Sequence, residues 1–470
     1  MGFNSFEFAL FLPVVFLLYW YVFPQRKNQN RLLMLASYVF YGLWDWRFLL
    51  LILLSSWVDF YAGIHIDKHR GSSRAKYYLW LSLAVNLGTL FVFKYFGFFI
   101  NSFIAFFQMA GVPMPSLSLN IILPVGISFY TFQTLSYTID VYRNRIETRK
   151  NWVDFFAFVS FFPQLVAGPV ERASWLLPQF EKDRQFNIEQ AKEGLRFILY
   201  GLFKKLVIAD FLGNKAHELF STYESQSGSD LLLGLYFLYG AYIYTDFSAY
   251  SEIAIGTARL FGFKLSKNFA FPFFSRNIEE FWQRWHITIS TWFRDYVLIL
   301  SLRSPLRKLG MFPLMMLMFA AIGLWHGANY TFILWGVLNG LVFWVYLKLR
   351  KWGWVTATEG RAKLTDIPSI LLTNFFIGFL LVFFGSNSLG SAFDYIRRII
   401  DPSFFTFPEY ATYYPVILGL LAWEWPFREG WHGLEVAEWH PVIRWTLYFL
   451  MSFGVMYHFG QVKDFVYFQF

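Results

Sequence analysis

Long apolar runs separated by short polar loops dominate the pattern of hydrophobic and polar positions. The runs lie at residues 6–23, 32–43, 48–66, 77–107, 121–141, 155–166, 197–211, 231–245, 311–325, 332–347, 367–384, 414–423 and 442–459. A helix needs about 20 apolar residues to cross the hydrocarbon core of a bilayer, so the pattern predicts roughly 11–13 membrane segments. The fold expected from this pattern is an all-α polytopic membrane protein.

Interruptions of the apolar runs predict where helices stop. The polar stretch Asp-Trp-Arg at residues 45–47 predicts a short turn between the second and third runs. Farther along, Pro163, Pro169 and Pro178 follow closely on the short run that ends at residue 166. Because proline removes a helix hydrogen-bond donor and clashes with the preceding turn, we expect broken or re-entrant helix in this region.

Composition supports a membrane protein. Of the 470 residues 56% are hydrophobic and 15% are charged, and the mean hydropathy is +0.40. Soluble domains carry about 25% charged residues, so this chain lacks the charge of a water-facing surface. There is no cysteine, which excludes disulfides, thiol nucleophiles and cysteine zinc sites. Without repeats or long linkers, we expect a single integral-membrane domain over residues 1–470.

The net charge of +9 is concentrated in particular loops. Basic loops at residues 25–31, 67–76 and 143–150 alternate with neutral ones such as 108–120. Basic loops of membrane proteins favour the cytoplasmic side, so we expect the N-terminus outside and these loops inside. The charge is therefore attributed to membrane topology and not to nucleic-acid binding.

His326 is the first candidate for chemistry. It ends the apolar run at residues 311–325 and is followed by the small residues Gly327 and Ala328, with Trp325 and Trp335 close by in sequence. An imidazole with an ordinary pKa near 6.5 can serve as a base at neutral pH. The alternative is a packed core histidine, which is the commoner role of a lone histidine on an apolar face.

His286 is the second candidate and lies in the charged, tryptophan-rich segment 277–295. On helical spacing Trp282, Trp285 and Trp292 share a face near His286, while Arg284 and Arg294 point elsewhere. The alternative is an interfacial amphipathic helix anchored by Trp and Arg. No metal-ligand spacing and no serine-hydrolase elbow accompany the two histidines, so we expect proton transfer and no metal.

Five stretches resemble a known family. They are Ala-Ser-Tyr-Val-Phe-Tyr at 36–41, Phe-Pro-Gln-Leu-Val-Ala-Gly-Pro-Val at 162–170, Asp-Phe-Ser-Ala-Tyr-Ser-Glu-Ile-Ala-Ile-Gly at 246–256, the segment 281–296 with Arg-Trp-His, and Leu-Trp-His-Gly at 324–327. In order and spacing they resemble the membrane-bound O-acyltransferase (MBOAT) superfamily, in particular its bacterial alginate O-acetylase branch. Residues 297–302 depart from that branch, which leaves the donor contacts and the polymer open.

The resemblance implies a helical bundle around a central channel, with motifs at about residues 120–340. His326 then matches the essential histidine of the family, buried in the channel, and His286 matches the supporting one. Family members move an acyl group from a thioester to a hydroxyl, and the polysaccharide branch works in the bacterial inner membrane. The implied donor is cytoplasmic acetyl-CoA, with no bound cofactor. The implied acceptor is an exported polysaccharide or a periplasmic SGNH-type acetyltransferase.

This chemistry assigns roles to the candidate residues. Acyl transfer needs a base for the incoming hydroxyl and a site that excludes water. We expect His326 to be the general base and His286 to orient the acceptor or relay the proton. Supporting or channel-lining roles are expected for Asp246, Arg284, Trp285, Trp325 and Asn329. For Asp246, an interhelical hydrogen bond is an equally good interpretation.

Two other functions remain open on the sequence. One is D-alanyl transfer to teichoic acid from a carrier-protein thioester, within the same family. The other is a transporter or channel, which would be expected to show inverted repeats and paired broken helices. The sequence shows no such repeats, so an O-acetyltransferase for a cell-envelope polysaccharide is the first hypothesis.

Overall fold

The structure is a computed structural model that describes residues 1–115, 121–356, 358, 360–402, 406–460 and 465. Regular secondary structure in these ranges is entirely helical, which confirms the all-α prediction. The chain divides into two compact units. The first contains Met1–Gly194 and Ala254–Ser266, and the second contains Leu195–Ile253 and Lys267–Phe470.

Nine α-helices lie among the described residues from Phe6 to Phe203. In chain order they are α1 (Phe6–Leu17), α2 (Arg26–Asp45), α3 (Leu49–Lys68), α4 (Ser73–Leu90), α5 (Phe96–Met109), α6 (Ile127–Tyr142), α7 (Trp152–Ser160), α8 (Ala173–Phe180) and α9 (Ile188–Phe203). Helix α9 continues past Gly194 into the second unit.

The remaining helices belong mostly to the second unit. They are α10 (Asp210–Ser221), α11 (Gly228–Leu233), α12 (Gly240–Leu260), α13 (Ile278–Arg284), α14 (Ile287–Phe293), α15 (Ile299–Leu302), α16 (Met311–His326), α17 (Tyr330–Lys351), α18 (Ile367–Gly385), α19 (Leu389–Ile399), α20 (Tyr414–Glu424) and α21 (Pro441–His458). Short π-helical turns continue several of them, including Lys204–Ala209 after α9.

Among the residues that the structure describes, four helical stretches are long and apolar enough to cross a membrane. They are Arg26–Lys68, Ser73–Met109, Tyr330–Lys351 and Leu364–Gly385, and the shorter apolar helices Phe6–Val22 and Met311–His326 accompany them. The chain is thus an integral membrane protein. The larger count of membrane segments expected from the apolar runs stays a prediction.

Both predicted interruptions are present. A tight turn at Trp46–Phe48 separates α2 from α3, and the Asp45 carboxylate accepts a hydrogen bond from the backbone N–H of Arg47 (3.0 Å). Helix α7 ends at Ser160, and helix resumes only at Ala173, so Pro163 and Pro169 lie outside helix as predicted. The expectation was wrong for Pro178, which lies inside α8. The segment between α7 and α8 is buried, and side chains satisfy part of its backbone: Ser37 Oγ accepts from the N–H of Phe162 (3.0 Å). Irregular backbone is tolerated in a membrane protein where it is buried in this way.

A close helix pair in the second unit positions one of the candidate histidines. Helices α16 and α17 approach each other at Gly323 and Gly336. A β-carbon on Gly323 would collide with the carbonyl oxygen of Phe332, and one on Gly336 with that of Phe319. Small residues allow helix backbones to pack this closely in membrane proteins. The pair therefore holds the C-terminal end of α16, where His326 lies, in a defined place.

Candidate active site

His326 is buried among aromatic rings. It is the last residue of α16 and is 5% exposed. Its ring centroid lies 4.7 Å from that of Trp325, 5.2 Å from that of Trp335 and 5.2 Å from that of Phe384. The last two rings come from α17 and α18, so three helices enclose the imidazole. These flat apolar walls keep bulk water from His326.

His286 lies at a break in the helix, which corrects the expected continuous helical face. Helix α13 ends at Arg284, α14 begins at Ile287, and His286 adopts a left-handed φ of 41°. Trp282 and Trp292 therefore lie on separate helices. The expectation was wrong because the backbone here bonds to another segment and not within a helix. The N–H of Ile287 donates to the carbonyl of Asn268 (2.9 Å). Local spacing carries no information about that partner.

The His286 side chain is 1% exposed and is held by a polar group on one side and rings on the others. Its Nδ1 lies 2.9 Å from Asn268 Oδ1. Its ring centroid lies 4.6 Å from Phe247, 5.9 Å from Phe269 and 5.4 Å from Trp325. Asn268 was not expected from the sequence, where it is one asparagine in a loop without a distinguishing motif.

Trp325 connects the two histidines, since its ring contacts both imidazoles. The histidines are also close enough to interact electrostatically. Burial, and after it the charge of His326, lowers the pKa of His286 well below its usual value. Removing a charged imidazole from water is unfavourable, so burial favours the neutral form. His286 is consequently a neutral imidazole at physiological pH.

Asp246 lies in a buried ion pair. It is on α12, and its carboxylate is 2.7 Å from the Nζ of Lys205, which also lies 3.0 Å from Asp210. The next residue, Phe247, contacts the ring of His286. The pairing expected for Asp246 is therefore present, and its connection to the site runs through the neighbouring phenylalanine.

The side chains of Arg284 and Asn329 both form hydrogen bonds with backbone groups of neighbouring segments. Arg284 pairs with Glu280 (2.9 Å) and donates to the carbonyl of Ala270 (3.1 Å), two residues after Asn268. The Asn329 side chain caps α17 by accepting from the N–H of Thr331 (3.2 Å), and its amide donates to the carbonyl of Asn387 (2.9 Å). These two side chains shape the surroundings of the histidines.

Trp285 and Trp335 line a small apolar cavity. Its volume is about 40 Å³, and its other lining residues include Gly240, Asn339 and Gly378. A single water needs about 10–15 Å³ by the same measure, so only a very small group fits. Because Trp335 also contacts His326, the cavity lies beside the ring that packs against the candidate base.

A second buried polar group surrounds Lys204 and Lys205, in the π-helical turn Lys204–Ala209 that follows α9. Lys204 Nζ is 2.8 Å from Glu252 Oε1 and 4.0 Å from Glu424 Oε1. The hydroxyls of Tyr200 and Tyr244 donate to Glu424 (2.8 and 2.9 Å). We call Lys204, Lys205, Asp210, Asp246, Glu252 and Glu424 the lysine cluster. The sequence showed the two lysines only as an interruption of the run at residues 197–211.

No group of three or more histidine and acidic side chains suited to a metal ion occurs within the part of the chain that the structure describes. The polar groups beside the two histidines are amides, hydroxyls and indoles. This donor set suits hydrogen bonding and proton transfer.

Comparison with known proteins places the chain in a family. The sequence pattern of MBOAT, the membrane-bound O-acyltransferase family, matches residues 40–353. The chain belongs to the MBOAT family. The matched stretch contains both histidines, Asn268 and Lys204, whereas Phe384 and Glu424 lie beyond it. The C-terminal helices thus complete both buried polar regions from outside the matched stretch.

Individual relatives differ in their sequence identity to this chain and in the share of each protein that the match covers. The chain is 40% identical over 339 residues to the probable alginate O-acetylase AlgI of Pseudomonas aeruginosa, covering 72% of this chain and 64% of that protein. It is 33% identical over 427 residues to the peptidoglycan O-acetyltransferase of Helicobacter pylori, covering 83% and 78%. The teichoic acid D-alanyltransferase of Bacillus subtilis is 28% identical over 276 residues, covering 55% and 68%. The chain thus matches slightly less than two thirds of the length of the alginate relative.

Proposed function

We propose that this protein is a membrane O-acetyltransferase that moves an acetyl group from a cytoplasmic thioester, acetyl-CoA, toward hydroxyls of an exported cell-envelope polysaccharide. One observation carries the proposal. Two buried histidines, His286 and His326, contact the same tryptophan ring in an aromatic, water-poor site of an MBOAT family member. A dry site with a proton acceptor is what acyl transfer to an alcohol requires.

The reaction balances with histidine as a proton carrier. His326 takes the proton of the acceptor hydroxyl while the hydroxyl oxygen attacks the thioester carbonyl carbon. The carbon–sulfur bond then breaks, and the leaving sulfur receives the proton from the imidazolium. Ester and thiol are the products, and His326 returns to its neutral state. No protein nucleophile is needed, and the chain has no cysteine to provide a thiolate.

The surroundings of the histidines suit this cycle. His326 is enclosed by Trp325, Trp335 and Phe384, so competing water is kept from the reacting carbonyl. His286 is kept neutral by burial, so it does not repel the imidazolium that forms on His326. A second imidazole that orients the acceptor fits this arrangement.

A short acyl group is consistent with the space beside the site. The small cavity lined by Trp285, Gly240 and Gly378 also touches Trp335, the ring that contacts His326. Two of the relatives are named for the O-acetylation of alginate and of peptidoglycan. For this chain the polymer, or a periplasmic SGNH-type acetyltransferase that passes the group on, is the acceptor we propose.

The proposed location is the bacterial inner membrane with the N-terminus outside. The basic loops at residues 67–76 and 143–150 support this orientation, since positive loops favour the cytoplasm. It places the thioester supply on the side of the basic loops and the exported polymer on the other side.

Purified protein in detergent with radiolabelled acetyl-CoA tests the proposal. Transfer is measured to deacetylated alginate and to peptidoglycan fragments, and thiol release is measured in parallel. Because the chain has no cysteine, a thiol reagent reports only the released coenzyme A. We expect transfer by the wild type and a loss of about 10²–10⁴-fold in His326→Gln, the range that general-base catalysis supplies.

The exposed histidine at the start of α21 provides a matched control. His440→Gln makes the same chemical change outside the site and should retain wild-type transfer. Elution volume in size-exclusion chromatography checks that each variant is folded. Equal activity of His326→Gln and His440→Gln would refute the base assignment. Transfer of D-alanine from a carrier-protein thioester, without acetyl transfer, would favour the D-alanyl function instead.

A further inference from the structure

We infer that Asn268 is a positioning residue that fixes the tautomer of His286, so that His286 Nε2 is a buried hydrogen-bond acceptor reserved for the acceptor substrate. The inference rests on the proposed function for the identity of that substrate. The tautomer itself follows from contacts within the second unit alone.

The amide of Asn268 is held in one orientation. Its Oδ1 accepts a hydrogen bond from Thr288 Oγ1 (2.8 Å) and faces the backbone N–H of Thr288 (3.4 Å). Its Nδ2 donates to Ser251 Oγ (3.0 Å). A flipped amide would point its NH₂ group at the N–H of Thr288, which can only donate. The oxygen of Asn268 therefore faces Thr288 and His286.

This orientation decides where the proton of His286 lies. Asn268 Oδ1 is 2.9 Å from His286 Nδ1, and a carbonyl oxygen can only accept. Nδ1 must therefore carry the hydrogen. A neutral imidazole has a single N–H, so Nε2 has a lone pair and no hydrogen. His286 can accept a proton or a hydrogen bond at Nε2, and in this state it cannot donate one to a carbonyl oxygen.

Nε2 of His286 is buried, and none of the described residues forms a hydrogen bond with it. Leaving a buried polar atom unpaired is unfavourable, and such atoms concentrate where a ligand supplies the partner. The backbone conformation of His286 also indicates that its ring is held in place for a ligand. His286 is held at a positive φ, which a residue with a side chain adopts only when its surroundings enforce it, and Asn268 contributes through its carbonyl.

The hydrogen-bonding chemistry of Nε2 distinguishes between the acceptor alcohol and the thioester donor as its partner. A group that pairs with it must bring a hydrogen. The hydrogen of the reacting hydroxyl goes to His326, but a sugar acceptor carries further hydroxyl hydrogens beside it, whereas the acyl carbonyl and sulfur of a thioester carry none. The Nε2 position therefore belongs to the acceptor alcohol, and Asn268 acts on acceptor binding through His286 without touching the donor.

Variants at Asn268 separate positioning from simple packing. Asn268→Leu removes the acceptor oxygen at similar volume. We expect acetyl transfer to fall at least about 10-fold, the size of a lost orienting contact, with the KM for acetyl-CoA unchanged. Asn268→Asp keeps an oxygen for Nδ1 and Thr288, and the Ser251 hydroxyl can turn to donate to it. This variant should therefore restore transfer.

The aspartate variant has a further signature. Its negative charge next to Nδ1 stabilises the imidazolium and raises the pKa of His286. The pH at which the His286 ring titrates, followed by its nitrogen NMR signal, should therefore move upward by about one pH unit. Ser251→Ala, which removes only the partner of Nδ2, is the control and should leave this titration in place. An identical His286 titration in Asn268→Asp and wild type would contradict the inference.

A measurement without activity separates this inference from the proposed function. Nitrogen NMR of protein labelled only in its eight histidines reports which ring nitrogen carries hydrogen, and His286→Gln identifies the His286 signal. We expect a protonated Nδ1 and an unprotonated Nε2. A protonated Nε2 in the neutral wild type overturns the inference. The expected tautomer in a protein that transfers no acetyl group to any acceptor overturns the proposed function and leaves the tautomer assignment standing.

Discussion

The lysine cluster and the histidine pair are both buried polar regions of the second unit, and they are built in opposite ways. In the cluster each lysine contacts two carboxylates, Lys204 those of Glu252 and Glu424, and Lys205 those of Asp210 and Asp246. Around the histidines the neighbours are mainly aromatic rings, and Nε2 of His286 has no partner among the described residues. Paired charges hold helices together, whereas an open acceptor atom is available to a ligand.

The difference shows what polarity inside a membrane protein can accomplish. Charges in a low-dielectric interior must be paired, and the geometry that pairs them links the π-helical turn after α9 to α10, α12 and α20. A neutral imidazole is far less costly to bury, so it can remain incompletely hydrogen-bonded. We therefore expect substitutions in the cluster to lower stability first, and substitutions at the histidines to lower activity first.

Breaking the lysine cluster should have the largest effect on stability. Lys205→Met leaves the carboxylates of Asp246 and Asp210 without their lysine. Removing one partner of a buried ion pair costs about 3–5 kcal/mol, so the thermal unfolding midpoint in detergent should fall steeply. Lys192→Met is the matched control, because Lys192 forms an exposed pair with Glu189 that is worth about 0–1 kcal/mol. Equal unfolding midpoints for the two variants would show that the buried pair of Lys205 contributes no more to stability than the exposed pair of Lys192.

The titration of His286 should sharpen the comparison at the histidine pair. His286 acts as a neutral imidazole, and burial lowers its pKa below the ordinary value of about 6.5. The nitrogen NMR signal of His286 should therefore report a neutral ring at pH 6.5 and change only at more acidic pH. The same shift lowers stability as the pH falls below about 6.5, because the unfolded state then binds more protons. A midpoint of the His286 titration above pH 7 would contradict the buried neutral state.

The smallest expected effect concerns the cap of α17, at the edge of the histidine site. Asn329→Ala removes the side-chain acceptor of the Thr331 N–H, and loss of such a cap costs about 1 kcal/mol. Asn329→Asp keeps the acceptor and should retain most of this stability. Thermal unfolding midpoints of the two variants give the difference. Equal losses would show that the bond to the carbonyl of Asn387, which both variants remove, matters more than the cap.

Local features of the sequence were sufficient for much of the fold. The apolar runs predicted an all-helical membrane protein, and the Asp-Trp-Arg turn at residues 45–47 separates α2 from α3 as expected. Pro163 and Pro169 correctly predicted the non-helical segment before α8, whereas Pro178 lies inside α8. These features depend on hydrophobic length, on a side chain capping its own turn and on the missing N–H of proline, all of which act within a few residues.

The candidate site was predictable only in part. His286 and His326 were identified by their residue type, their apolar surroundings and a family resemblance, and the structure connects them through Trp325. The helix break at His286 was not predicted, because it depends on Asn268, which is 18 positions away in sequence. Aromatic spacing alone favours a continuous helix when such a partner is unknown.

The sequence by itself determined the helical membrane class, the main interruptions of the helices and the two histidines as candidates. Tertiary structure alone decided which charges are paired, since Lys204 and Glu424 meet across 220 residues of chain, from the turn after α9 to the end of α20. It also decided the tautomer-setting contact between Asn268 and His286. Periodicity and propensity act over one or two turns of chain, whereas ion pairs and side-chain hydrogen bonds require that distant segments first pack together.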